Sequence, residues 1–160
     1  MAHIRIAQKG DEDGIHYSHM ISIREVCVHD HGPEEIKGWG YRERGTRWDS
    51  AVENGEVWVV EKEGQIEGHA CIRMRDEQRA HVLGLYLTPT VIGQGFGKKL
   101  LLLMIEKAKQ AGMKEVTLDS TFTAHDFYKS FGFVDTGPCE QHVIGGYPVS
   151  GIPMKLVLAE

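Results

Sequence analysis

The chain has 160 residues, 41% hydrophobic and 26% charged, which suits one domain with a substantial core. Its formal charge is −5, with acids and bases interspersed. That balance argues against nucleic acid or an anionic membrane as the main partner.

His3 to Ala7 alternate (H-I-R-I-A) and predict a first strand with Ile4 and Ile6 turned inward. Asp11, Glu12 and Asp13 favour the first turn of a helix, carried to about Cys27 with Ile15, His19, Ile23 and Val26 on one side. V-H-D-H-G reads as a loop. Pro33 with Glu34 and Glu35 starts a second helix, with Ile36 and Trp39 as its apolar side. Glu56 to Glu61 and Ile66 to Met74 are strands joined by a glycine turn, hence a hairpin. Ala80 to Leu87 is a fourth strand, ended by Pro89. A glycine loop then enters a leucine-rich helix that closes near Gly112 as its C-terminal cap. Val116 to Asp119 is a fifth strand. Thr123, with Asp126 as a capping-box partner, caps a short helix bearing Phe127 and Phe131 on one face, and Gly132 stops it. Phe133 to Thr136 and Met154 to Leu158 are the last strands. This order predicts one α/β (α+β) domain over 1–160, a mixed, mostly antiparallel sheet with helices on both faces.

Cys27, Cys71 and Cys139 are far apart, odd in number and form no C-x-x-C pair, which predicts reduced thiols in a cytoplasmic protein. The first residues hold no apolar signal core, and the apolar run Leu100 to Ile105 is too short to span a bilayer. Cys27, His29, Asp30 and His31 match no common zinc spacing; they read as a polar loop, and no metal is expected. A small metal-binding domain centred on that loop stays open as a rival reading.

Residues 91–99 read V-I-G-Q-G-F-G-K-K between a strand and a helix. Such a turn presents bare N–H groups to an anion. A P-loop needs a hydroxyl after its lysine, and here Lys98 is followed by Lys99. A dinucleotide fingerprint needs G-x-G-x-x-G after the first strand; here G-x-G-x-G follows the fourth.

Gly95 and Gly97, with Gly93, Lys98 and the preceding L-Y-L-T-P, resemble motif A of the GNAT superfamily of N-acetyltransferases. Ala124, Phe127, Tyr128, Gly132 and Phe133 (A-x-x-F-Y-x-x-x-G-F) resemble its motif B. The resemblance implies the single-domain GNAT acyl-CoA N-acyltransferase fold, acetyl-CoA as co-substrate and direct transfer to an amine acceptor. The pyrophosphate would lie on Ile92, Gly93, Gln94, Gly95, Phe96, Gly97 and Lys98. The pantetheine would run along Leu85, Tyr86 and Leu87 as an added strand, with Thr123 and Phe127 alongside. Ile92 stands where the family has Gln or Arg, which leaves the anion to backbone N–H groups, Lys98 and Lys99.

By the same resemblance Tyr128 is the general acid at the sulfur, and a fourth-strand N–H, that of Leu87, faces the thioester oxygen. His81 stands where some relatives carry a catalytic glutamate and is the candidate base; His19, Asp119, Glu25 and a water-mediated route stay open. Trp39, Tyr41 and Trp48 line the acceptor site or fill the core. Asp76, Glu77 and the overall acidity suggest a cationic acceptor, and the strand Pro153–Leu158 is placed to pair across a homodimer. A non-catalytic acyl-CoA-binding or sensing module on the same fold is the alternative.

Overall fold

The computed structural model describes residues 1–144 and 146–158. Its strands are β1 (Ala2–Ile6), β2 (Val57–Lys62), β3 (Gln65–Met74), β4 (Arg79–Leu87), β5 (Glu115–Ser120), β6 (Val134–Asp135), β7 (Glu140–Ile144) and β8 (Tyr147–Val157). Its helices are α1 (Glu12–Glu25), α2 (Pro33–Trp39), α3 (Arg47–Glu53), α4 (Phe96–Gln110) and α5 (His125–Ser130). The sheet order is β1-β2-β3-β4-β5-β8-β6, with β7 paired to β8. Every pairing is antiparallel except β4 with β5. No helix among the described residues is long and apolar enough to cross a membrane.

Two apolar clusters cover the two faces, and a third (Met20, Ile23, Cys27, Ile36, Trp39 and Val149) joins α1 and α2 to β8. In α4, Phe96, Leu100, Leu101, Met104, Ile105 and Ala108 repeat at helical spacing and pack on Val60, Ala70, Ile72, Ala80 and Val82. Leu102 and Leu103 of the same leucine run face outward. Opposite, Ile15 of α1 and Trp48, Ala51 and Val52 of α3 bury Val57, Val59, Ile66 and Cys71. Gly112 and Gly132 end α4 and α5 at φ +78° and +98°, a left-handed turn that glycine enters without a Cβ penalty.

The structure departs from the sequence reading at several places. Ile6 is 48% exposed, because β1 has only β2 as partner and Ala7 turns inward instead. Helix α3 and strand β7 are additional elements, and β8 begins well before Met154. The N-cap of α5 is Ala124, without a side-chain cap bond; Thr121 Oγ1 accepts the Ala124 N–H at 3.1 Å in the turn before it, and Thr123 does not cap the helix. Within β8, Pro153–Val157 pairs with β5, and Met154 and Lys155 also pair with β6. The edge expected to face a second copy is thus engaged within the chain.

Two features of β4 prepare the site. Its parallel pairing with β5 stops at Val82–Leu118, so Leu83–Leu87 leave β5 and open a wedge. A register shift lies opposite Cys71–Ile72, where Val82 pairs Ile72 but Gly84 pairs Cys71. That one-residue bulge puts Ala80 and Val82, then Leu85 and Leu87, on the same face of the sheet.

Candidate active site

A cavity of about 340 Å³ fills the wedge between β4, the glycine loop and α5. Leu85, Tyr86 and Leu87 form one side, and Ile92, Gly93, Gly95, Gly97 and Lys98 close its end. Thr123 and Phe127 line the other wall. Gly93 and Gly95 have φ of +79° and +89°, so the loop bends in a way that bare backbone tolerates and a side chain resists. Gly95 sits at the N-cap of the fifteen-residue α4, whose dipole is positive at this end.

Main-chain polarity runs along the same wall. Thr88 N–H donates to Glu67 O at 2.9 Å. By the alternation of an antiparallel ladder, Tyr86 and Thr88 bond to β3, while Leu85 and Leu87 turn their N–H and C=O groups to the open edge. An extended, amide-bearing ligand would find a strand edge there.

Two of the expected loop residues stand apart. Phe96 is buried in the core under α4, and Gln94 bends back to donate to Thr90 O at 3.1 Å; neither lines the cavity. Ser22, Val26 and Cys27, at the end of α1, do line it. Nothing in their sequence marked them, since they arrive by the packing of α1 across β4. Burial pushes the Cys27 thiol up to about 12, against a lowering contact from Thr123, so it stays a thiol. Thr123 Oγ1 is buried, with no hydrogen bond to a nitrogen or oxygen among the described residues. A polar ligand in this cavity would satisfy it.

Tyr128 points from α5 into a narrow slot between the parted strands, beside Leu83, Gly84 and Asp119. It is nearly buried, its hydroxyl has no hydrogen bond among the described residues, and burial raises its pKa, so it holds its proton. His81 does not line this slot or either larger cavity near it. Its Nδ1 is 2.7 Å from Thr117 Oγ1, and its Nε2 is 4.0 Å from Asp119 Oδ2. Burial and then Arg75 lower its pKa, with Asp119 pulling the other way, so the ring is neutral near pH 7.

A second cavity of about 280 Å³ opens on the other side of Tyr86. His19, Trp39 and Arg47 wall it from the helices, Arg42 from the loop between α2 and α3, and Asp119, His142 and Ser150 from the strands. Trp39 therefore lines a site, whereas Trp48 is core and Tyr41 is exposed under Arg24. Glu25 is exposed and lines none of these cavities. Asp76 holds the β3–β4 turn, accepting the N–H groups of Gln78 and Arg79 at 2.8 Å each, and belongs to no cavity wall described above.

The loop V-H-D-H-G proves to be a strut. Phe122 N–H donates to His31 Nε2 at 3.1 Å, which fixes the proton on Nδ1, 3.0 Å from Glu35 Oε2. Glu35 also accepts the Ser150 N–H at 2.8 Å. Burial would raise Glu35, but the Ser150 and His31 bonds outweigh it and hold the carboxyl below its ordinary range. Behind the cavities, His19, His69, Tyr86 and Trp48 pack ring to ring, with His69 5.0 Å from Trp48 and 5.7 Å from Tyr86.

An anion-receptive glycine loop, a splayed strand edge and a protonated tyrosine at the wedge define a site for a long acyl carrier. The acetyltransferase (GNAT) family model matches residues 20–133, and the chain belongs to that family. An uncharacterized N-acetyltransferase of Escherichia coli, YjgM, is 32% identical over 82 residues. The match covers 48% of this chain and 49% of YjgM, so it spans about half the length of that relative. Among solved structures, a Gcn5-related N-acetyltransferase from Rhodopseudomonas palustris superposes with a TM-score of 0.79 at 19% identity, covering 99% of this chain and 96% of that one. The PaiA N-acetyltransferase of Thermoplasma acidophilum, solved with coenzyme A, gives 0.74 at 18% identity, covering 99% of each. These likenesses establish the GNAT fold.

Proposed function

We propose that residues 1–160 act as one acetyltransferase domain that moves the acetyl group of acetyl-CoA directly to an amine. The observation that carries this reading is the meeting of two cavities at Tyr86, one beside the glycine loop and one beside Asp119, with Tyr128 in the slot between. A sensing module has no use for the second cavity.

Acetyl-CoA supplies the acetyl thioester. Gly93, Gly95, Gly97 and Lys98 hold its pyrophosphate with N–H groups, helix dipole and one ammonium. Leu85 and Leu87 bond its amide arm, and the Leu87 N–H faces the thioester oxygen as charge builds there. The amine nitrogen bonds to the acetyl carbon as the C–S bond breaks. Tyr128 gives its proton to the departing sulfur, and Asp119 takes the proton that the amine sheds. His81, bonded to Thr117 at 2.7 Å and 4.0 Å from Asp119, stays outside the reacting groups. Cys27 and Cys71, both buried thiols, have no covalent part.

Calorimetric titration with acetyl-CoA and a thiol-release assay with amines test the reading. Saturable binding and amine-dependent release are expected. In Tyr128→Phe, kcat should fall about 10² to 10⁴-fold with coenzyme affinity unchanged. Absence of acetyl-CoA binding would refute the proposal, and full turnover in Tyr128→Phe would remove the tyrosine from the chemistry.

A further inference from the structure

The second cavity carries charge in a pattern that names its occupant. Four of the eight arginines form ion pairs. Arg5 meets Asp11 at 2.7 Å, Arg44 meets Asp13 at 2.7 Å, Arg73 meets Glu56 at 3.0 Å and Arg79 meets Asp76 at 3.0 Å. Arg42 and Arg47 both line the cavity, and neither forms an ion pair among the described residues.

Each guanidinium is nevertheless held. Arg42 Nε donates to Trp39 O at 3.0 Å, which leaves its terminal nitrogens for the cavity. Arg47 lies over the Trp48 ring at 4.7 Å. Burial first, and then the charge of Arg47, lower the Arg42 pKa, as happens to a cation short of a counter-ion. Two positioned forks of this kind suit a carboxylate.

The opposite wall has the opposite sign. Asp119 stands just past the last β4–β5 pair, beside the Tyr128 slot. The ligating atoms of Asp119, Glu140 and His142 lie within 4.8 Å of one another. An ammonium drawn to this end would reach the wedge where the acetyl group is delivered. The cavity of about 280 Å³ has room for an amino acid between the two ends.

We propose that the acceptor is a small amine that also carries a carboxylate, an amino acid in the broad sense, bound by Arg42 and Arg47 at its acid end and by Asp119 at its amine end. This inference rests on the acetyltransferase reading and replaces the cationic acceptor suggested by the chain's net charge.

The test is a thiol-release assay with acetyl-CoA and a panel of the standard amino acids, each beside its α-amide, on the wild type, Arg42→Gln and Arg47→Gln. Calorimetric titration of the same panel runs in parallel on the coenzyme-loaded protein. Acids should outperform their amides. Each substitution should raise the KM for the acid about 10- to 100-fold, leave kcat nearly unchanged and shrink the gap between acid and amide. Arg47 is exposed, so its variant separates the effect from any loss of fold. Acids no better than amides, in turnover and in binding, would overturn the proposal, and no response to either ligand counts as that outcome. Acetyl-CoA titration of the same samples keeps the two readings apart: coenzyme binding with indifference to the carboxylate sinks only this inference, while failure to bind coenzyme sinks the reading beneath it.

Discussion

His69 should make this fold acid-sensitive well above the range where carboxylates titrate. Ser18 spends its hydroxyl hydrogen on Ile15 O at 2.9 Å, so His69 Nδ1 donates to Ser18 Oγ at 3.1 Å and Nε2 carries no proton. That Nε2 is buried without a partner. Burial, followed by the charges of Arg47 and His16, lowers the His69 pKa from 6.5 to about 3. The unfolded chain takes up a proton near pH 6.5, and the folded chain refuses it until about pH 3, so falling pH favours unfolding across that window. Each pH unit inside it costs about 1.4 kcal/mol, and the step from pH 7 to pH 5 costs about 2 kcal/mol from this ring. For a urea m-value of about 2 kcal/mol/M, the midpoint should fall by roughly 1 M. His19 is shifted the same way by burial and adds to the slope. Urea titrations at pH 7, 6 and 5 on the wild type and His69→Asn measure the effect. The asparagine keeps a donor for Ser18 and removes the titration, so its pH dependence should be shallower by about 2 kcal/mol over the interval. Equal slopes in the two proteins would refute the argument.

Other expectations follow from the same geometry. Gly95→Glu places a carboxylate against the bound pyrophosphate and strains a residue at φ +89°; acetyl-CoA affinity should drop more than 100-fold by calorimetry, for a stability loss of about 1–3 kcal/mol. Phe133, 2% exposed in the core that seats Tyr128, should cost about 3–5 kcal/mol on change to Ala, read as a lower urea midpoint at unchanged slope.

The sequence displayed some of this more plainly than the rest, for physical reasons. The β2–β3 hairpin, the glycine loop and α4 were legible because alternation, positive-φ glycines and helical spacing are local signals. Most of the residues expected at the coenzyme wall line the cavity, since the backbone of one strand and one loop builds it. Helix α3 did carry a signal, Trp48, Ala51 and Val52 at helical spacing, but seven residues between polar turns are easily passed over. Strand β7 had none, for most of its residues are exposed and only its pairing with β8 makes it a strand. The β4 bulge is invisible in A-H-V-L-G-L-Y-L, because either phase of that run is apolar. Nothing in the sequence sets Arg42 and Arg47 apart; only the folded chain shows which arginines have found acids.

The strut through Glu35 divides the molecule by inheritance as well as by space. The wall beside the glycine loop is built from residues 85–127 and part of α1, all inside the stretch the family shares, 20–133. His142, Val149, Ser150 and Gly151 of the second cavity sit on the β7–β8 hairpin, beyond that stretch, and are held to the rest by the Glu35–Ser150 bond and by Val149, which packs with Met20, Ile23, Ile36 and Trp39. The hairpin is thus a replaceable cassette. Exchange of residues 140–151 against a homologue's should retarget the acceptor while the coenzyme site stays as it is, provided the new hairpin still offers Glu35 an N–H and keeps an apolar side chain at position 149.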